Sequence, residues 1–302
     1  MKQLVILSGK GGTGKTSVAA AFAHLAAQSG LAGKVVLADA DVDAANLELV
    51  FQPQLREEQD FKGGKVAVID PETCASCGDC QAVCRFDAIY PHPSGGEGYF
   101  VDPIACDGCA ACVYQCPTQS ISMREQIAGK FYFSESRYGP LYHARLFPGQ
   151  ENSGRLVTLV KQRARLQALN EGRELVIVDG PPGIGCPVIS AVSGADLALI
   201  VAEPTVSGVH DMRRILQTVQ HFGVRAMVAI NKADVYSTGT EEIESFCRGN
   251  GIETLGRIPF DLTVASAMVG GEAVTAFQPE SAVSVAIRQV WERVVSSLLE
   301  GK

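Results

Sequence analysis

Short runs of apolar residues alternate with longer amphipathic segments along most of the chain. Residues 3–7 form the first apolar run, followed by a Gly-rich turn and by an Ala-rich helical pattern over residues 16–28. Similar runs recur at residues 35–38, 175–178, 197–201, 226–230 and 254–258. Because strands buried on both faces read as apolar runs and alternate with helices, the pattern predicts an α/β fold with a mostly parallel sheet and helices on both faces.

This alternation stops between residues 61 and 123, where cysteine, glycine and proline are frequent. Within that stretch, residues 74–89 and 106–121 match at a constant offset of 32, including Ile89 on Ile121. An offset repeat of this kind indicates an internal duplication. We therefore predict an inserted domain over residues 61–124, set into a discontinuous α/β domain of residues 1–60 and 125–302. Residues 130–136 and 141–147 are expected to form a hairpin.

Composition and charge exclude some classes of partner. The chain has 302 residues, 46% of them hydrophobic, and a net charge of -7, so a large core is expected and coating of nucleic acid is disfavoured. The N-terminal run is too short for a signal peptide, and no apolar run has membrane-spanning length. The amphipathic segment 283–299 lacks the basic polar face that anionic lipid selects, so we expect it to pack on the sheet. These features predict a cytoplasmic protein with reduced thiols and no stable membrane association.

A phosphate-binding loop is predicted between the first strand and the first helix. The segment fits G-x-x-x-x-G-K-[ST] with Gly9, Lys10, Gly11, Gly12, Thr13, Gly14, Lys15 and Thr16. Glycines let backbone amides approach phosphate oxygens, and the helix N-terminus adds its positive dipole. Lys15 is expected to reach the β- and γ-phosphates, and the Thr16 hydroxyl to bind Mg²⁺.

With Lys10 after the first glycine, the loop resembles the deviant Walker A motif of the ParA/MinD class of P-loop ATPases. The resemblance implies that Lys10 contacts the nucleotide of a second subunit in an ATP-dependent homodimer. "DADVD" resembles the class's switch I, which implies that Asp41 positions the attacking water and that Asp39 lies near metal and nucleotide. Lys10, Lys15 and Asp41 are the catalytic candidates. For Asp43 we expect only a helix cap.

Three later positions complete the predicted nucleotide site. Asp179, which ends the strand in "LVIVDGPPGIG", resembles the Walker B acid that holds Mg²⁺ through water, and the Gly-rich segment "GPPGIG" that follows it resembles the class's switch II. In "NKAD", Asp234 could read guanine as in GTPases, whereas Asn231 contacts adenine in ATPases of this class; the deviant lysine favours ATP. Pro259 resembles the loop beside the base.

Eight of the ten cysteines form two copies of C-x2-C-x2-C-x3-C, and the second copy ends in Cys-Pro as in bacterial ferredoxins. In that pattern the fourth cysteine of each run binds the other cluster. The pattern predicts two [4Fe-4S] clusters in a ferredoxin-like α+β domain. Their predicted ligands are Cys74, Cys77, Cys80 and Cys116 for one cluster and Cys106, Cys109, Cys112 and Cys84 for the other.

Alternatives remain for individual cysteines. Zinc would leave the third cysteine of each run unused, and disulfides are disfavoured in a reducing compartment. Arg85 stands where the ferredoxin pattern has proline after Cys84. Cys247 is expected to be a small buried residue, whereas Cys186, just after the switch II glycines, is either a packing residue or a thiol facing a redox partner.

These motifs together predict an ATP-binding iron-sulfur protein of the MinD superfamily. ATP hydrolysis would be coupled to electron transfer, or to assembly of an iron-sulfur or other metal cofactor, with an unidentified protein as redox or cluster-acceptor partner. The alternative is a MinD-like positioning or regulatory switch whose clusters sense redox state.

Overall fold

A computed structural model of the protein describes residues 1–92, 97–150 and 153–300. These residues form two compact units, called here the larger unit (1–59, 131–145 and 153–300) and the smaller unit (60–92, 97–130 and 146–150). The smaller unit therefore includes residues 125–130 and 146–150, which the sequence pattern assigns to the α/β domain. The reason is local, because the amide of Phe147 donates to the carbonyl of Ala128 and holds these two segments together.

One nine-stranded sheet has the order β11-β10-β9-β1-β8-β2-β7-β6-β3. The strands from β11 to β7 in that order pair in parallel, which confirms the predicted mostly parallel sheet. The shorter strands β4 and β5 form an antiparallel pair in the smaller unit. The strands are β1 (Lys2–Ser8), β2 (Val35–Asp39), β3 (Gln54–Ile69), β4 (Ile89–Pro91), β5 (Tyr99–Val101), β6 (Ile121–Ser136), β7 (Gly139–Leu146), β8 (Leu175–Pro182), β9 (Leu197–Ala202), β10 (Arg225–Asn231) and β11 (Glu253–Ile258).

Helices fill most of the connections between the parallel strands. They are α1 (Lys15–Ala27), α2 (Leu47–Phe51), α3 (Asp79–Val83), α4 (Ala111–Gln115), α5 (Ser153–Asn170), α6 (Cys186–Val192), α7 (Val206–His221), α8 (Ser237–Gly249), α9 (Leu262–Val269), α10 (Val274–Phe277) and α11 (Ala282–Val295), followed by a π-helical turn (Ser296–Glu300). Their alternation with strands follows the apolar pattern of the sequence, and the hairpin predicted between β6 and β7 is present.

The core of the larger unit lies between the sheet and its covering helices. Helix α1 is buried along most of its length, which its small alanine side chains permit. Helix α11 buries its apolar face in the same core, through Val283, Ile287, Val290 and Val294. This confirms the expected packing of the C-terminal helix against the protein. None of the described helices is both long and apolar enough to cross a bilayer.

The smaller unit repeats its backbone as well as its sequence. Helices α3 and α4 are offset by 32 residues, like the cysteines. Left-handed backbone positions recur at the same offset, pairing Ser76 with Gly108, Gly78 with Ala110 and Asp87 with Gln119. A left-handed conformation is uncommon outside glycine, so its recurrence at matched positions shows that the two halves share one loop geometry.

Candidate nucleotide and cysteine sites

The phosphate-binding loop joins β1 to α1 and lines a cavity of about 480 Å³. Gly14 has a φ of 92°, and a Cβ added there would collide with the side-chain amide of Asn231, so only glycine fits without displacement. The cavity is also bordered by residues that follow β2 and by residues at the end of β8 and the start of α6. Its lining comprises Ser8, residues 11–17, Asp41, Asp43, Ala44, Asn46, Pro181, Pro182 and Pro187. The geometry therefore brings the predicted loop and both predicted switch segments to one cavity.

Lys15 lines this cavity and contacts two carboxylates. Its ammonium donates to Oδ1 of Asp179 at 2.8 Å and lies 3.5 Å from Oδ2 of Asp41. Burial lowers the pKa of Lys15, but the Asp179, Asp41 and Asp39 carboxylates raise it by more, so the net shift is upward. The lysine therefore remains positively charged although it is buried. At a buried position it attracts phosphate oxygens more strongly than it would in water.

Asp39 is fully buried beside Asp179, because the two residues are register partners in β2 and β8. Burial and the neighbouring Asp179 charge raise the pKa of Asp39 to about 8. Its Oδ1 accepts the amide of Asp41 at 3.1 Å, and its Oδ2 accepts the amides of Asn46 and Leu47, each at 3.0 Å. Asp39 therefore holds the switch I backbone and satisfies the first amide of α2. The cap expected of Asp43 is in fact supplied by Asp39.

Two buried polar atoms at the site have no hydrogen-bond partner among the described residues. They are Oδ2 of Asp179, a residue with no exposed surface, and Oγ1 of Thr13, which is 2% exposed. Buried polar groups are normally paired, so such atoms call for an explanation. A carboxylate oxygen and a hydroxyl close to a phosphate loop fit the water shell and oxygen ligands of a Mg²⁺-nucleotide. Thr16 also lines the cavity.

Lys10 lies away from the nucleotide cavity of its own chain. Its ammonium is 3.0 Å from Oε2 of Glu203 and donates to the hydroxyls of Thr205 and Ser207 at 3.2 and 3.3 Å. Glu203 also accepts Lys232 at 3.1 Å. Burial raises the pKa of Glu203, and its bonds to the two lysines lower it by more. Sequence reasoning missed Glu203, although an acid directly after a buried strand is a usable signal.

The last residue of β10 and the residue after it contact the phosphate loop. Asn231 Nδ2 donates to the carbonyl of Thr13 at 2.7 Å, and Lys232 Nζ donates to that of Gly12 at 2.9 Å. Asn231 is thus a neighbour of the loop, as well as a candidate contact to the base. Asp234 accepts the amide of Phe260 at 2.7 Å, which fixes the loop after Pro259 beside this segment.

Four predicted ligands of the smaller unit surround one small cavity. Cys74, Cys77 and Cys80 line it together with Cys116, which comes from the other half of the duplication. The Sγ atom of Cys116 accepts the amide of Ser120 at 3.3 Å. The structure thus brings this set of four together in the crossed arrangement.

The other predicted set has the same burial as the first. Cys112, like Cys80, is buried in the apolar core of the smaller unit; Cys84 and Cys106 are half-buried against it, and Cys109 is exposed like Cys77. Cys84 Sγ accepts the amide of Ala88 at 3.4 Å, which matches the Cys116 contact at the offset of 32. Within the described residues, no three or more His, Cys, Asp or Glu side chains converge on a point that would hold a single metal ion.

The two halves differ beside the crossing cysteines. Thr118 places its hydroxyl 3.5 Å from Cys116 Sγ and 2.6 Å from the Ser120 hydroxyl. The matched positions 86 and 88 carry Phe86, which is 44% exposed, and Ala88. Among the described residues, Cys116 therefore has a hydroxyl next to its sulfur and Cys84 has none. Arg85 is exposed.

The two remaining cysteines lie outside these sets. Cys247 has no exposed surface and burial raises its pKa, which confirms the expected packing role. Cys186 is exposed at the first residue of α6, directly after switch II.

Comparison with known proteins decides the family. The model of the CobQ/CobB/MinD/ParA nucleotide-binding domain matches residues 4–274. The chain belongs to this family. It is accordingly a nucleotide-binding P-loop ATPase.

Individual relatives differ in their descriptions. The chain is 32% identical over 293 residues to the uncharacterized protein MJ0578 of Methanocaldococcus jannaschii, covering 97% of this chain and 96% of the relative. A shorter match, 24% identical over 141 residues, covers 43% of this chain and 38% of an iron-sulfur cluster carrier protein of Aquifex aeolicus. Among solved structures, the MinC:MinD cell division complex of Aquifex aeolicus matches with a TM-score of 0.59 and 20% identity over 98% of this chain and 96% of that chain. The structural match shows the fold alone.

Proposed function

We propose that the protein uses ATP hydrolysis to drive electron transfer or iron-sulfur cofactor assembly through two [4Fe-4S] clusters held in the smaller unit. The observation that carries the proposal is the cavity lined by Cys74, Cys77, Cys80 and Cys116. A cubane cluster binds one thiolate on each of its four iron atoms, so its ligands surround a body larger than a single ion. Backbone amides that point at Cys84 and Cys116 add the hydrogen bonds that tune such clusters.

A second line of support is that the cysteine runs are duplicated. Eight cysteines occur in two matched runs, and the backbone conformation around them is duplicated too. A switch that only positions itself in the cell has no use for this arrangement. Protein relatives include one described as an iron-sulfur cluster carrier, which is consistent with a role in redox or cluster chemistry.

At the nucleotide site, each residue has a defined task in the proposal. Lys15 neutralises the β- and γ-phosphates, and Asp41 orients the attacking water. Asp179 and Thr16 hold Mg²⁺, which supplies charge neutralisation at the phosphates when bound. Asp39 keeps the switch I backbone in place through three amides.

We predict that Mg·ATP shifts the midpoint potential of at least one cluster. Nucleotide can drive redox chemistry only by binding two states unequally, and a tenfold preference changes a one-electron potential by about 59 mV. EPR-monitored redox titrations of anaerobically prepared protein, with Mg·ATP, with Mg·ADP and without nucleotide, measure this shift. Identical potentials in all three conditions would contradict this coupling and favour the alternative function, a MinD-like positioning or regulatory switch whose clusters sense redox state.

We also predict that Lys10→Ala abolishes ATP-dependent dimerisation while ATP binding persists. Lys10 points to Glu203 and the hydroxyls after β9, outside its own nucleotide cavity, which suits a contact to a second subunit. Analytical ultracentrifugation with a non-hydrolysable ATP analogue compares the native and variant proteins. Lys34→Ala, which removes an exposed lysine paired with Glu174, is the matched control. Equal dimerisation of Lys10→Ala and native protein would remove this part of the proposal.

A further inference from the structure

A second cavity of the larger unit lies at the opposite end of β1 from the phosphate loop. It has a volume of about 440 Å³ and is bordered by the amino end of β1, by α5 and by α6. Gln3, at this end, lies five residue steps from Ser8 along β1, or about 17 Å at about 3.3 Å per step. The cavity is therefore distinct from the nucleotide site.

Its most buried cation is Lys161 of α5, which is 6% exposed. The ammonium donates to the carbonyls of Ser190 and Ser193, each at 2.7 Å, and an ammonium has three donors. One donor is left for a ligand. Burial and the nearby Arg165 charge lower the pKa of Lys161 to about 8, and the described residues that line the cavity include no carboxylate.

A second donor is without a partner. Gln3 is 2% exposed, and its Nε2 has no hydrogen-bond partner among the described residues. Its backbone amide, by contrast, donates to Asp196 at 2.8 Å. A buried amide that donates to nothing costs free energy, and here it belongs to a residue that lines the same cavity as Lys161 and Arg165.

Apolar surface completes the lining. Ile189 and Phe222 border the cavity and are 38% and 40% exposed. A ligand that satisfies the lining therefore needs an anionic head for the donors and an apolar body for these two side chains. Such a mixture of few polar groups and apolar surface is typical of small-molecule sites.

We propose that this cavity binds a small organic anion, with a carboxylate or phosphate head held by Lys161, Arg165 and Gln3 and an apolar body against Ile189 and Phe222. The anionic head group would bind the third donor of the Lys161 ammonium. The hydrogen bonds from Lys161 to the carbonyls of Ser190 and Ser193 would remain. The site shares no lining residue with the nucleotide cavity.

The test uses the full chain saturated with Mg·ADP, so that the phosphate loop cannot bind the probes. Benzoate and phenyl phosphate are titrated by calorimetry, with neutral benzamide as the control ligand. We expect saturable one-to-one binding of at least one anion and none of benzamide; the better anion identifies the head group.

Variants separate a ligand site from a structural contact. Lys161 also donates to the carbonyls at the C-terminal end of α6, so its substitution would disturb the fold. The test therefore replaces the exposed Arg165 and Gln3, whose Nε2 has no partner among the described residues. Loss of a charged hydrogen bond in Arg165→Gln is expected to weaken binding by about tenfold or more, and Gln3→Leu to weaken it as well with unchanged or increased thermal stability. Arg163→Gln, on α5 but outside the cavity lining, should bind like the native protein. Absence of saturable anion binding, equal binding of benzamide, or native affinity in both Arg165→Gln and Gln3→Leu would overturn the proposal.

Discussion

Replacing Cys74 and Cys116 together by alanine is expected to remove about four of about eight iron atoms per chain, because both residues would bind the same cluster. Replacing Cys84 and Cys116 together is expected to remove nearly all the iron, because these two residues would serve different clusters. The expectation rests on the cavity in which Cys116 joins Cys74, Cys77 and Cys80 across the duplication.

Iron and acid-labile sulfide, measured per chain after anaerobic reconstitution, give the result directly. Cys186→Ala is the matched control, since this thiol is exposed and lies in the larger unit; it should retain the native iron content. If each run instead supplied its own cluster, the Cys74/Cys116 pair would remove all iron and the Cys74/Cys84 pair only half. Zinc in place of iron in the native protein would refute the cluster proposal itself.

The strands of the larger unit could be predicted because they are buried. The strands β1, β2, β9, β10 and β11 coincide with the apolar runs to within one residue at each end, whereas β8 continues four residues beyond its run, to Pro182. By contrast, β3 reads "QLREEQDFKGGKVAVI", and its first seven residues are exposed. A strand that buries neither face for half its length leaves no periodic signal in the sequence. This is why the extent of the smaller unit could not be predicted to the residue.

The same distinction holds at the nucleotide site. The phosphate loop is a local motif, so its residues could be named from spacing alone. The contacts that support it join distant parts of the chain, as in Glu203 to Lys10 and Lys232, and no spacing rule reveals them. Asp39 and Asp43 both precede α2 and carry a side chain that can cap a helix. In the structure Asp39 accepts the amides of Asn46 and Leu47, a contact that depends on the folded strand end and that the sequence does not reveal.

In the smaller unit, the duplication predicts the backbone conformation but not every side-chain contact. The offset of 32 residues predicted matched loops, and the left-handed positions confirm it. The hydroxyl beside Cys116 has no counterpart at Phe86, and its contact depends on how Thr118 is oriented after the crossing cysteine. Hydrogen bonds to ligating sulfur raise cluster potentials, so this difference gives the two proposed clusters unequal surroundings.

Asp41→Asn is expected to slow ATP hydrolysis by about 10²–10⁴-fold, the usual contribution of a positioned base or water-orienting carboxylate. Asp41 lines the nucleotide cavity, is 13% exposed and has Oδ2 3.5 Å from Lys15. Burial raises the pKa of Asp41, and the Lys15 charge opposes that shift. The amide keeps the shape of the side chain and removes the charge that orients water. Affinity for Mg·ADP should be equal or higher, because one negative charge near the phosphates is lost.

Asp43→Asn is the matched control, since Asp43 lines the same cavity and the substitution removes the same charge. Single-turnover hydrolysis measured by release of phosphate, together with Mg·ADP titration, separates chemistry from binding. We expect a rate close to native for Asp43→Asn and a large loss for Asp41→Asn at unchanged or tighter binding. Equal rates in the two variants would assign the attacking water to another group, and a parallel loss of nucleotide affinity in Asp41→Asn would mean that Asp41 supports the fold of the site instead of the reaction.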